Sequence, residues 1–231
     1  MAKEALQRAS FKILTVPLSI LVVLVRLLKH KSITEDYLKC INHLKSLDKT
    51  DGAVDASLIE CLVLAEDHRS HLHFGVDQYA IARAILVRFI EGKVQGASTI
   101  EQQLVRTVTG RYERTLRRKI REQILSIMIS SDFAKEDIAS AYLRCAFFGS
   151  ELIGSSGIRD IRKKGLCSSD EEIIACLKYP MPLKISDIYR VRYLKRIEHI
   201  KSLKLSGKSR QVLTAVKGAD LFMSTRSSDE G

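Results

Sequence analysis

Thirteen consecutive uncharged residues, Ile13 to Val25, constrain this chain more than any other feature, because so apolar a run must find either lipid or a protein core. Taken alone the run is short for a bilayer. If Lys12 and Arg26 snorkel, the span becomes the eighteen residues Phe11 to Leu28, roughly 27 Å of helix against a hydrocarbon core of about 30 Å. No small-residue cleavage site follows, only RLLKHKS, so the expectation is an uncleaved anchor over residues 1–29. A buried or interfacial helix is the competing reading. Basic residues do not fix orientation, since Lys3, Arg8 and Lys12 balance Arg26, Lys29 and Lys31.

A chain of 231 residues has room for one domain with a proper core and short appendages. Its formal charge of +11 points to an anionic partner: nucleic acid, acidic phospholipid or a phosphorylated substrate. Cys40, Cys61, Cys145, Cys167 and Cys176 show no CxxC and no metal-ligand spacing, so they are expected to be mostly free, buried thiols. An odd count leaves at least one unpaired in any compartment. The absence of Trp and the few Gly and Pro fit a helical protein. Residues 30–55 are polar and read as a stalk or docking segment with a short helix around Tyr37 to Leu47. The folded domain is expected over 56–205, and 206–231 reads as a disordered polar tail.

The stretch AEDHRSHLHFGVD, residues 65–77, sets two adjacent carboxylates at the end of an apolar helix. Asp55 or Ser57 can cap that helix, and Glu66 falls four residues after Leu62 on the stripe of Leu58, Leu62 and Val63. A carboxylate on a core-facing stripe loses hydration, which strengthens it as a proton acceptor near neutrality; an exposed helix-terminal acid is the plain alternative. Asp77 can cap a helix through Ile90 that stops at Gly92 and is apolar almost all round apart from Arg83 and Arg88, which predicts a core position. His68, His71 and His73 are not read as a metal site, because no acidic or Cys partner completes a ligand spacing.

In QGASTIEQQLVRT, residues 95–107, Ser98 and Glu101 have capping-box spacing, so Gly96 and Ala97 should turn into a helix starting at about Thr99. Its amide-rich N-terminus suits an anion, and Gln102, Gln103 and Arg106 follow on the next turn. RTLRRKIREQ then spaces Arg114, Arg118 and Glu122 four apart on one helix face, with Leu116, Ile120, Ile124 and Ile127 as the buried stripe and Arg117, Lys119 and Arg121 adding charge. An ordinary capped helix, a solvated charge run with Glu122 merely pairing Arg118, or a nucleic-acid helix would each carry such residues. Further on, helices are expected from Asp137 to Phe148, ending at Gly149, from Ser168 or Ser169 to Leu177, before Pro180 and Pro182, and from Ile188 to Leu203.

Taken in this order, the stretches resemble the peptidoglycan glycosyltransferase (transglycosylase) family, found in monofunctional cell-wall transglycosylases and in the first domain of class A penicillin-binding proteins. Glu66, Asp67, His73, Gly75, Val76 and Asp77 look like its first motif, and Gly96, Ser98, Thr99, Ile100, Gln102, Gln103 and Leu104 like its second. Arg114, Thr115, Leu116, Arg118, Lys119 and Glu122 match the third, and Tyr142, Leu143, Phe148 and Gly149 match the fourth more loosely. The likeness covers roughly residues 50 to 185.

That resemblance implies a mainly α, lysozyme-like glycosyltransferase domain behind an N-terminal transmembrane helix. It implies polymerisation of lipid II into β-1,4 glycan strands, with inversion and release of undecaprenyl diphosphate. Glu66 would be the base and Glu122 the second essential carboxylate, with Asp67, His73, Ser98, Thr99, Gln102, Gln103, Arg106, Arg114, Arg118 and Lys119 binding substrate. No organic cofactor is expected; a divalent cation, magnesium or manganese, could share the charge neutralisation with Glu122 or Asp67 as ligands. The expected partners are lipid II, the growing lipid-linked strand, the membrane, and transpeptidases or other cell-wall proteins. No transpeptidase domain follows, so cross-linking would fall to those proteins. Nucleic acid is not expected, since it leaves Glu66, Gln102 and Gln103 without a role. The implied location is the cytoplasmic (inner) membrane, single-pass, with the catalytic domain on the periplasmic or extracellular side.

Some positions differ from the family pattern. Ser70 stands where an aromatic is usual, Glu101 for a Thr, Arg106 for a Lys and Arg144 for an Asn, and IRDIRKKG after Gly157 lacks an aromatic pair. Ser70 and Arg144 motivate the alternative of a catalytically weak or inactive relative that binds lipid II or a cell-wall assembly partner. A lytic enzyme is a third reading, but it has no use for the cationic helix.

Overall fold

A computed structural model describes residues 2–46 and 52–206 of the chain. Part of the expected stalk (47–51) and all of the expected tail after Ser206 lie outside the described residues. Among those described, helices dominate and one short two-stranded ribbon interrupts them, which is the mainly α class expected. They form two compact units, one from residues 2–46 with 72–146 and the other from 52–71 with 147–206.

The first unit opens with α1 (Ala2–Leu27), one helix long and apolar enough to cross a membrane. Phe11, Thr15 and Val22 recur near helical spacing and are buried, whereas Ile13, Val16, Ile20, Val23 and Leu24 are exposed. The buried stripe is pinned to α4 (Gln78–Glu91): Phe11 meets Tyr79 edge-on with ring centroids 4.9 Å apart, and Gln78 Nε2 donates to Thr15 Oγ1 at 2.8 Å.

Helix α2 (Lys31–Lys45) begins earlier than the predicted Tyr37 start and packs on α5 (Ile100–Thr109), α6 (Leu116–Asp132) and α7 (Lys135–Leu143). Its composition is polar, yet Ile33, Asp36, Cys40 and Leu44 line one buried face. The buried Asp36 carboxylate is balanced by Arg111 Nε at 2.7 Å and Arg121 Nε at 2.8 Å.

Helix α4 follows its predicted bounds, with Asp77 Oδ1 accepting from Ala80 N at 2.7 Å and Gly92 closing it at φ 66°. Its predicted core position is wrong. Of its residues only Ala80 is buried, while Phe89 is 84 % and Ile90 73 % exposed. An all-apolar helix reads as core when water is the assumed surrounding; lipid supplies the other solution. In α6 the predicted stripe fails at its start, where Leu116 and Ile120 are exposed and the continuous burial begins at Glu122 and Ile124. Helix α7 ends at Leu143, not Phe148, because Arg144 and Cys145 turn back on the carbonyls of Ser140 and Tyr142. The aromatic pair beyond it is extended instead.

That pair opens the return to the second unit, where β1 (Phe147–Gly149) pairs antiparallel with β2 (Leu152–Ile153). Met181 adds to the ribbon, its N–H donating to Phe148 O at 2.8 Å. Helix α8 (Gly154–Lys163) packs on both strands, and its Ile158 and Ile161 are buried. The unit's helices α3 (Ala56–Glu66), α9 (Asp170–Lys178) and α10 (Asp187–Leu205) pack on one another. Of the two caps foreseen for α3, Asp55 serves, accepting from Leu58 N at 2.9 Å. Ser57 instead donates to Asp170 Oδ2 at 2.6 Å, and Arg162 reaches Asp55 and Asp170 at 2.9 and 3.3 Å, so three chain segments fix where α3 begins and therefore where Glu66 ends it.

Candidate active site

The turn into α5 is capped one residue later than predicted. Thr99, not Ser98, is the N-cap: its Oγ1 accepts from Gln102 N at 3.4 Å and donates to Gly75 O at 2.8 Å. Gly75 can take that place because it has no side chain. Its φ is +90°, and a Cβ there would lie 2.4 Å from the carbonyl oxygen of Ser126 in α6. Nor does Glu101 close a capping box. It is buried and paired with Lys135; burial works to raise its pKa, but Lys135 and the neighbouring His73 outweigh that and hold the carboxyl below its ordinary value.

Released from capping, Ser98 joins a cluster around Glu122. Its Oγ accepts from Arg106 Nη2 at 3.3 Å and from Lys119 Nζ at 3.1 Å. Glu122, only 3 % exposed, receives Arg106 through Nε and Nη2, both at 3.2 Å, Lys119 Nζ at 2.7 Å, and Arg118 one turn before it. Lys119 also donates to Gln102 Oε1 at 2.7 Å, and the buried Gln102 Nε2 finds no acceptor among the described residues. The four-residue spacing that suggested an Arg118–Glu122 pair was right but incomplete: three cations converge on one carboxylate. Arg114 is not on that helix face. It precedes the N-cap Thr115 and is exposed.

Electrostatics follow from this crowding. Burial pushes the Glu122 pKa up, but hydrogen bonds from Arg106 and Lys119 win, so the group is ionised below the usual carboxylate range. Burial lowers the pKa of Lys119 beneath the ordinary lysine value, with Glu122 opposing and the two arginines adding to the effect. The cluster retains net positive charge beside a small open recess lined by Arg106, Arg111, Arg118, Arg121 and Glu122. Such a place attracts a multiply charged anion.

Glu66 belongs to the second unit and has a different environment. It is the last residue of α3, its side chain 19 % exposed, and Arg196 of α10 holds it, with Nη2 donating to Glu66 Oε1 at 2.6 Å and to Ala65 O at 2.9 Å. The loss of hydration expected for Glu66 is thus met by a guanidinium. Asp67 is buried as the C-cap of α3, and the buried Ser70 donates its N–H to Asp67 O at 2.9 Å. In the first unit His73 is buried near Phe11, with ring centroids 6.4 Å apart, and Gln103 is half-buried on α5. Arg144 Nε donates to Ser140 Oγ at 3.2 Å.

Sequence reasoning missed Arg196, which lies 130 residues beyond Glu66 with nothing local to mark it. It also missed Asp36, although a lone acid on the inner face of an otherwise polar helix is the kind of signal that betrays a buried ion pair.

Comparison with known proteins agrees with the helical fold. The sequence matches the Transglycosylase family over residues 33–160, from α2 into α8. It is 41 % identical to Penicillin-binding protein 1A of Aquifex aeolicus (strain VF5) over 110 residues, 47 % of this chain and 15 % of that protein. Identity is 37 % over 112 residues to Penicillin-binding protein 1B of Vibrio cholerae, 48 % of this chain and 14 % of that protein, and 33 % over 96 residues to Penicillin-binding protein 1F of Bacillus subtilis, 41 % and 13 %. In each case the alignment spans about a seventh of the curated relative's length. With a family match across more than half its length, and with the lysozyme-like helical class which that match carries, the chain belongs to the peptidoglycan transglycosylase family.

Proposed function

We propose that the chain is a membrane-anchored peptidoglycan glycosyltransferase that polymerises lipid II into β-1,4 glycan strands with inversion, releasing undecaprenyl diphosphate. The Glu122 cluster carries this reading: three cations gathered by one buried carboxylate, with positive charge left over, suit a diphosphate. Diphosphate is already a good leaving group, so the reaction needs charge neutralisation more than a protonating acid. Arg106, Arg118, Lys119 and the exposed Arg114 supply it. Glu122 organises them and moves no proton, because both its oxygens are taken by cations. Glu66 accepts the proton of the acceptor 4-hydroxyl as that oxygen attacks the anomeric carbon, with Arg196 holding the carboxylate in place. Asp67, His73, Ser98 and Gln103 complete the substrate contacts. Thr99 and Gln102, buried and engaged within the fold, act by positioning α5 and Lys119.

The anionic, lipid-linked substrate also accounts for the basic composition, the apolar α1 and the exposed apolar face of α4, which we assign to the surface of the cytoplasmic membrane with the catalytic residues on its outer side. A magnesium or manganese ion would neutralise diphosphate charge when bound; Asp67 is its protein ligand in this reading, since the cations around Glu122 exclude a metal there. Transpeptidases or other cell-wall proteins are the further partners.

Incubation of the purified full chain with lipid II is the test. Glycan strands formed by the wild type and lost in Glu66→Gln support the reading, and chelator sensitivity decides the metal. Arg196, bound to the base, gives the second reading a specific footing: lipid II bound without polymer would make the chain a binding relative of these enzymes. A reporter fused to the C-terminus that reads as cytoplasmic would overturn the proposed topology.

A further inference from the structure

The reading above leaves one nucleophilic cluster of the second unit unused. Cys167, in the segment between α8 and α9, and Cys176, on α9, hold their Sγ atoms 3.6 and 3.8 Å from the same Tyr193 hydroxyl. Both are buried. We propose that Cys167 and Cys176 form a reversible dithiol–disulfide pair that, when oxidised, fastens the segment before α9 to that helix. Two thiols gathered on one hydroxyl from either side of a short loop can be joined by side-chain rotation, and no other pair of cysteines shares a hydrogen-bond partner among the described residues.

The two sulfurs are also unlike. The neighbouring Cys176 thiol lowers the pKa of Cys167 despite burial, and Cys167, together with burial, raises that of Cys176. Burial pushes Cys40, Cys61 and Cys145 up to about 12, which keeps them as unreactive thiols. Cys167, 8 % exposed against 0 % for Cys176, is therefore the attacking sulfur, losing its proton as it does so. Its sulfur displaces one thiolate from a small-molecule disulfide such as oxidised glutathione, and Cys176, giving its proton to that departing thiolate, displaces the second. Two protein S–H bonds and the oxidant's S–S bond are lost; one protein S–S bond and two free thiols are gained. Tyr193 gives up its sulfur neighbours but keeps its bond to Glu172 O at 3.0 Å, so the α9–α10 contact survives.

The native full chain, in detergent micelles, can be equilibrated with graded ratios of reduced to oxidised glutathione, quenched in acid, alkylated and digested with trypsin. Both cysteines fall in one peptide, Gly165 to Lys178. The expected result is that this peptide loses the mass of two hydrogens and resists alkylation while Cys40, Cys61 and Cys145 are still fully alkylated, and that dithiothreitol reverses the change. Two alkyl groups at every ratio, a glutathione adduct without ring closure, or a cross-link formed only after denaturation would overturn the proposal. Cys176→Ser should trap glutathione on Cys167; if that variant does not fold, the wild-type peptide decides alone. The outcome does not depend on glycosyltransferase activity, so failure here leaves the proposed function standing.

Discussion

Two carboxylates, Glu122 in one unit and Glu66 in the other, lie in opposite surroundings. Glu122 is shut away from water, receives three cations and has both oxygens occupied. Glu66 terminates a helix, keeps some access to solvent and is held by Arg196. The first arrangement builds a fixed electrostatic feature, since an anion that holds three cations in place cannot readily part with its charge. The second suits a group that must meet an incoming hydroxyl. These surroundings suit the unlike roles proposed above, Glu66 as the base and Glu122 as the carboxylate that gathers the cations.

Breaking the first arrangement should have the largest effect. Glu122→Gln strands three buried or half-buried cations, so chemical denaturation should show a loss of about 3 kcal/mol. Lipid II polymerisation should fall with it. The sign of the pH effect sharpens the point: the folded-state pKa values of Glu122 and Glu101 are depressed, so their stabilisation is complete above the ordinary carboxylate value of 4.5 and is lost as pH falls through the lower folded values. Melting temperature followed downward from pH 5 should decline in the wild type and decline less in Glu122→Gln. On the other side of the comparison, Arg196→Gln should leave folding largely intact and lower kcat roughly tenfold with little change in KM, because it loosens only the base. A large drop in stability instead would make Arg196 a structural tie. Smallest is Thr99→Ala, which removes the α5 cap and its bond to Gly75 and should cost about 1 kcal/mol by thermal unfolding.

Legibility in the sequence followed distance along the chain. Caps and stops within one turn were readable: Asp55, Asp77, Gly92 and Ser169 each do what their position suggests. The Ser98–Glu101 box failed because both side chains have stronger partners elsewhere, the Glu122 cations for one and Lys135 for the other. The Arg118–Glu122 pair was visible at i, i+4, whereas Arg106 reaches the same carboxylate from another helix and has no local signature. Arg196 is the extreme case. Helix α4 shows a different limit: periodicity says that a face avoids water and is silent about what replaces it. The extension of α7 to Phe148 treated an apolar run as continuous helix, when the chain breaks at Arg144 and its aromatics enter a ribbon completed by Met181.

The missing side chain at position 75 has a reach out of proportion to its size. Ser126, whose carbonyl faces Gly75, donates its own hydroxyl to the carbonyl of Glu122 one turn earlier, and Thr99 hangs on the carbonyl of Gly75 itself. A lone methyl at residue 75 would wedge those two helices apart and spread the guanidinium cage without touching a charged group. Damage to this protein can therefore be electrostatic in outcome while purely steric in origin.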